Sequence, residues 1–213
     1  MADESAQDRN RFTRRLEGFS DIVFGFALAQ SAFALEIPKT LDGVYAKSGD
    51  LFFFAVTFAV IAAFWIMHYR VFHYAFAGGR IDVILNFVLL AAVALLPYVL
   101  RLYIQFPDSV IGSAAYAAEL GVGFSLLAAL EIRGLRALGP SMAPKPLLTI
   151  RRASWRHAVA GGVFLLSLVF IALFGLVGRV AWGAVPLAMI VGRVMERVQA
   201  GRAAPGPAAA GRS

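Results

Sequence analysis

The sequence predicts an all-α integral membrane protein with six transmembrane helices per subunit, and three observations carry that prediction. Hydrophobic residues make up 60% of the 213-residue chain and charged residues only 15%, where soluble domains carry about 25% charged residues. Six apolar stretches, each near the length that crosses a bilayer, use up most of the chain. Of the 20 Lys and Arg residues, all but Lys39, Lys47, Arg101 and Arg179 precede the first stretch, stand at or beyond the end of the sixth, or lie in the second and fourth connections. That asymmetry predicts a multi-pass protein of the cell (inner) membrane with both termini in the cytoplasm, and it requires an even number of spans.

Residues 1–18 are expected to form a cytoplasmic segment. The start, from Met1 to Asp8, is acidic and polar, unlike the basic beginning of a secretory signal, so the first apolar stretch should be retained. Stretch one covers 19–37 and stops at Pro38, which cannot continue a helical hydrogen-bond ladder. Stretch two covers 51–67. Stretch three, 83–103, contains Pro97, where a kink is expected. Stretch four covers 110–130. Stretch five covers 158–176, and Gly161-Gly162 within it points to close helix packing. Stretch six, 180–194, is short and is expected to sit tilted or near the interface. The membrane domain thus spans 19–196. Residues 197–213, rich in Ala, Gly, Pro and Arg, read as a disordered cytoplasmic tail.

Several function classes drop out. The net charge of +7 is accounted for by basic cytoplasmic loops, so no nucleic-acid partner is expected. The chain has no cysteine, which removes disulfides, thiolate metal sites and cysteine nucleophiles. No Gly-x-Ser-x-Gly, His-Glu-x-x-His or P-loop pattern occurs. His68, His73 and His157 lack metal-ligand spacing. The chain reads as no enzyme, with no cofactor and no metal site.

The informative residues are the polar ones inside apolar stretches. Asp21 lies in the first, where an ionised carboxylate costs about 2.5–3.5 kcal/mol at mid-bilayer and less near the interface. Arg15 and Phe19 stand four apart, on one helix face. From these residues alone, Asp21 fits a charge that complements the helix dipole as well as it fits a functional site. Trp65, His68 and Asn86 can donate hydrogen bonds to Ser20 and Asp21, and Arg70 is a further candidate partner or a cytoplasmic anchor. Glu119 lies midway along stretch four with no partner evident. Glu131, Arg101 and Arg179 stand at stretch ends and read as interfacial anchors.

The run Arg15-x-x-x-Phe19-Ser20-Asp21 at the start of a first transmembrane helix resembles the signature of the transmembrane protein 175 family, the lysosomal potassium channel and its prokaryotic relatives. The likeness continues in Trp65-x-x-His68-x-Arg70-x-Phe72, in Asp82 to Asn86, and in Leu95-Leu96-Pro97-Tyr98. It spans about residues 14 to 104. The second half is similar only in helix count and composition. The resemblance implies a homotetramer whose four first helices line a central pore, an apolar constriction in place of a carbonyl-lined filter, and a Phe-Ser-Asp motif that holds helix one to helices two and three.

Ile22, Phe26, Gln30 and Phe33 recur at i, i+4, i+8 and i+11 and so form one stripe of helix one. Spacing alone leaves two readings, a packing or lipid-facing surface and a pore lining. The resemblance makes Phe26, five residues after Asp21, the main constriction, with Gln30 and Phe33 further along the pore. It also exposes departures. Ile and Leu are usual where Gln30 and Phe33 stand, and hydroxyl residues where Gly25 and Ala29 stand. The function implied is a potassium-permeable cation channel, with potassium as permeant ion and with other copies of the chain and membrane lipid as partners. A proton-preferring or weakly selective channel on the same scaffold and a non-conducting membrane scaffold are the alternatives.

Overall fold

A single unbroken helix, α1 (Ala2–Phe33), carries both the charged N-terminal segment and most of the first apolar stretch. The computed structural model describes residues 2–33 and 35–183. The helix ends earlier than the expected residue 37. Proline offers no N–H and its ring is incompatible with a helical turn running into it, so the ladder fails upstream of Pro38.

A short helix, α2 (Leu41–Ala46), follows, with Thr40 Oγ1 accepting from the Gly43 N–H at 3.1 Å. Then come three long helices, α3 (Ser48–Tyr74), α4 (Arg80–Gln105) and α5 (Val110–Leu138). Each outruns its apolar stretch, because charged residues beyond the membrane still favour helix. At the start of α4 the Gly79 N–H donates to Asp82 Oδ2 at 2.9 Å, and at the start of α5 the Gly112 N–H donates to Ser109 Oγ at 3.1 Å. These bonds satisfy donors that a helix start leaves open. Pro97 lies buried inside α4, which continues through it to Gln105. After a turn at Gly139–Ser141, α6 (Pro144–Phe174) begins with proline in its first turn, where no donor is lost. It ends at Gly175, whose φ of 60° favours glycine, and a 3-10 run covers Gly175–Gly183.

Ser48–Tyr74, Arg80–Gln105, Val110–Ser141 and Pro144–Gly183 are the helical stretches long and apolar enough to cross a membrane among the described residues. That is two fewer than the six expected. In α1 the charges Arg14, Arg15, Glu17 and Asp21 shorten the apolar run. The expected sixth stretch, 180–194, starts inside the 3-10 run; its remainder and the expected tail at 197–213 lie outside the described residues.

Helices α5 and α6 form the most intimate pair, and small residues are the reason. A Cβ on Gly161 would sit 2.5 Å from Ser125 Oγ and 3.2 Å from the Gly121 carbonyl, whereas one on Gly162 would meet nothing. Only Gly161 of the glycine pair therefore makes the close approach. At Gly134 a Cβ would collide with the Ala75 carbonyl, which locks α5 against the α3–α4 turn. Helix α4 packs on α5, and α1 lies across α3 and α4. The shared core includes Phe24, Ile61, Phe64, Leu89, Leu127 and Phe164.

The bundle has two chemically different ends. At one, Asp82 pairs with Arg133 and Gly78 lies near Thr13. At the other, Glu36 pairs with Lys47, and Arg179 donates to the Pro107 carbonyl at 2.8 Å. The basic second and fourth connections gather at the first end, and Lys47 and Arg179 stand at the second.

Candidate functional site

Two opposite stripes run along α1. Leu16, Ser20, Phe24, Ala27 and Ser31, spaced three or four apart, are buried against α3 and α4. Ile22, Phe26 and Phe33 are 70%, 67% and 85% exposed, and Gln30 is exposed with them. One subunit thus covers one face of α1 and leaves the other bare.

The buried stripe is fixed by a directed chain of hydrogen bonds. His68 Nε2 on α3 and Asn86 Oδ1 on α4 are 2.8 Å apart. An amide oxygen only accepts, so Nε2 carries the proton. The Asn86 amide donates in turn to Ser20 Oγ at 3.2 Å, and the Ser20 hydroxyl donates to the Leu16 carbonyl at 2.8 Å. Ser20, His68 and Asn86 are all buried. Phe24 and Phe72 flank the imidazole, with ring centroids at 5.2 and 4.7 Å. In such apolar surroundings an unmade bond is expensive, and that cost gives the chain its specificity.

A second tie runs along the rim. The Trp65 indole N–H donates to Asp21 Oδ1 at 2.8 Å. Phe19 meets Phe87 of α4 with centroids 5.7 Å apart. Ser20, Asp21 and Phe19 therefore each engage a neighbouring helix, through Asn86, Trp65 and Phe87 respectively, and His68 holds Asn86. Arg15 and Arg70 are both exposed, and among the described residues neither joins these bonds. On α3 the side chain of Arg70 leaves the helix on a different face from buried His68 and Val71.

Residues 15–97 match the family model described as endosomal/lysosomal potassium channel TMEM175. Over those residues the chain is similar to the TMEM175 family. A potassium channel of Marivirga tractuosa is 29% identical over 104 residues, 49% of this chain and 42% of that protein. A potassium channel of Streptomyces collinus is 32% identical over 91 residues, 39% of this chain and 44% of that protein. The matched region thus takes up less than half the length of these curated relatives. The fold is also that of a variant of the potassium channel MtTMEM175 crystallised with a nanobody–MBP fusion protein, at TM-score 0.65 and 20% identity, covering 86% of this chain and 93% of that one. The polar chain on α1, α3 and α4 lies wholly within the TMEM175 match, and so do the bare residues of α1.

Beyond the TMEM175 match, one buried polar pair escaped sequence reasoning. Glu131 and His157, on α5 and α6, meet with Oε2 and Nδ1 2.9 Å apart. Glu131 is fully buried and its Oε1 has no hydrogen-bond partner among the described residues. Its expected role as an interfacial anchor is therefore wrong: a close helix pair covers it. Arg133, two residues on, is the one that reaches out, to Asp82. A carboxylate and an imidazole in neighbouring apolar helices were the available signal. Glu119 lines a small gap with Phe64, Leu96 and Gly123 and makes no hydrogen bond or ion pair among the described residues.

Proposed function

We propose that the chain forms a homotetrameric, potassium-permeable cation channel in the cell (inner) membrane, with four copies of α1 around one axis and both termini in the cytoplasm. The observation that carries this reading is the two-faced α1. One stripe is held by the subunit's own α3 and α4, while Ile22, Phe26, Gln30 and Phe33 are left uncovered. The names of the curated relatives, both potassium channels, support the same ion.

On this reading the polar chain from His68 to Leu16 sets the rotation of α1, and that rotation turns Phe26 toward the axis. A ring of four Phe side chains makes a dry constriction that opposes a hydrated ion, and such constrictions gate by dewetting. Gln30, one turn further, would present amide oxygens that replace part of the hydration shell. Phe33 and Ile22 line the path beyond and before. No catalytic step is assigned, and potassium is the permeant species rather than a cofactor.

Purified protein in planar bilayers tests the reading. Phe26→Ala is expected to raise single-channel conductance, and an unchanged current from that variant counts against Phe26 as the constriction. Gly25 and Ala29 favour a second reading, a proton-preferring channel, since they remove hydroxyls near the constriction. Reversal potentials under separate potassium and proton gradients separate the two. A confirmed tetramer that passes no ion, even with Phe26→Ala, points to a non-conducting scaffold.

A further inference from the structure

Two hollows along α3 are not used by the polar chain. Near the start of the helix, a cavity of about 320 Å³ is lined by Gly49, Asp50 and Phe53, and by Arg101, Ile104 and Gln105 from the end of α4. Asp50 and Arg101 face it with opposite charges, yet among the described residues neither side chain forms an ion pair. Deeper along α3 lies an apolar groove of about 420 Å³, lined by Val56, Val60, Ala63 and Met67 and, across from them, by Leu120 and Tyr116 of α5. Phe53, Val56, Val60, Ala63 and Met67 succeed one another at three- and four-residue spacing, so both hollows follow one face of α3. From Val56 to Met67 the helix rises about 16 Å, close to the depth of one leaflet of a roughly 30 Å hydrocarbon core.

We propose that this face of α3 binds one phospholipid whose headgroup carries a phosphate and a primary ammonium, as phosphatidylethanolamine does. The phosphate lies at Arg101, the ammonium at Asp50, and one acyl chain follows the groove. A guanidinium recognises phosphate oxygens through paired N–H donors. A primary ammonium offers the Asp50 carboxylate N–H donors that a quaternary one lacks. A purely anionic headgroup satisfies Arg101 but sets like charges against Asp50. Arg101 stands at the bundle end opposite the basic connections, so the lipid occupies that leaflet. The inference requires only that the chain sit in a bilayer, and stands whether or not it conducts ions.

The full chain, purified in detergent and titrated with phosphatidylethanolamine, phosphatidylcholine and phosphatidylglycerol of identical acyl chains, is read by native mass spectrometry. Phosphatidylethanolamine is expected to be retained best. Arg101→Gln and Asp50→Asn, both at accessible positions, should each lower its retention about tenfold, the loss of one charge-assisted contact. Ala63→Phe should reduce retention of all three lipids by filling the groove. Soluble glycerophosphoethanolamine should not displace the lipid, because it lacks the acyl chain. Helix content by circular dichroism verifies that each variant folds. Phosphatidylglycerol binding should strengthen in Asp50→Asn, because the like charge is gone. Equal retention of the three lipids by the wild type, or phosphatidylethanolamine retention unchanged in Asp50→Asn, overturns the proposal. So does a wild-type protein that keeps no lipid because a second copy covers Asp50, seen as protection from carboxylate labelling.

Discussion

The Asn86 side chain stands between His68 and Ser20, accepting from one at 2.8 Å and donating to the other at 3.2 Å. Among the described side chains of α4, it is the one that links α1 and α3 by hydrogen bonds. Replacing it by Leu fills the space but strands the His68 Nε2–H and the Ser20 hydroxyl oxygen. The expected cost is about 1–3 kcal/mol, the desolvation penalty of buried unpaired groups. Thermal unfolding in detergent measures it. Ser20→Ala, which removes the end of the chain, should cost less than Asn86→Leu.

Trp65→Phe keeps most of the ring and removes the N–H that meets Asp21. Both residues are exposed in the subunit, so the coupling is expected to be modest, about 0.5–1 kcal/mol in a double-mutant cycle with Asp21→Asn. Additive effects of the two single changes count against the bond.

The neighbouring glycines of α6 offer a matched pair. Gly161→Ala drives a methyl into Ser125 and the Gly121 carbonyl and should destabilise by about 1–3 kcal/mol, as overpacking does. Gly162→Ala meets open space and should be neutral or stabilising by up to about 1 kcal/mol through helix propensity. Chemical denaturation of both variants in one detergent checks the contrast.

His157→Leu leaves the buried Glu131 carboxyl without its one hydrogen-bond partner among the described residues, and stranding a buried polar group costs about 1–3 kcal/mol. Removing both, as Glu131→Leu with His157→Leu, should recover most of that loss. If the double variant is as unstable as His157→Leu alone, packing rather than the carboxylate is responsible.

Acid should act at the other end of the bundle. The hydrogen bond from Lys47, and then its charge, hold the Glu36 carboxyl below the ordinary carboxylate range. A carboxyl depressed in the folded state stabilises above its unfolded pKa, and that contribution fades as pH falls through the folded value. The difference between wild type and Glu36→Gln should therefore be present at neutral pH and vanish in acid. Because both side chains are exposed it should be small and weaken with salt.

What was legible in the sequence follows from what a bilayer forbids. Ser20, Asp21, His68 and Asn86 stood out because polar groups among apolar ones must find partners, and few candidates existed. The helices α3 to α6 were visible as apolar runs, though their ends were not, since helix continues into charged residues such as Arg70 and Arg133. The end of α1 was misplaced because proline acts on the turn before it. Glu131 was misjudged because a residue near the end of an apolar run can turn to solvent or to a neighbour, and only the contact between α5 and α6 decides. Arg70 stayed open between a partner of Asp21 and an anchor, since spacing along α3 could not say which side faces α1.

Helix α1 runs without interruption from Ala2 to Phe33, so its charged half and its apolar half behave as one shaft. Each residue is set about 100° from the last, so a twist applied near Arg11 or Arg14 travels along the helix toward Phe26 and works against the hold of Asn86 on Ser20. A contact made at those arginines would therefore bear on the setting of an aromatic ring several turns away.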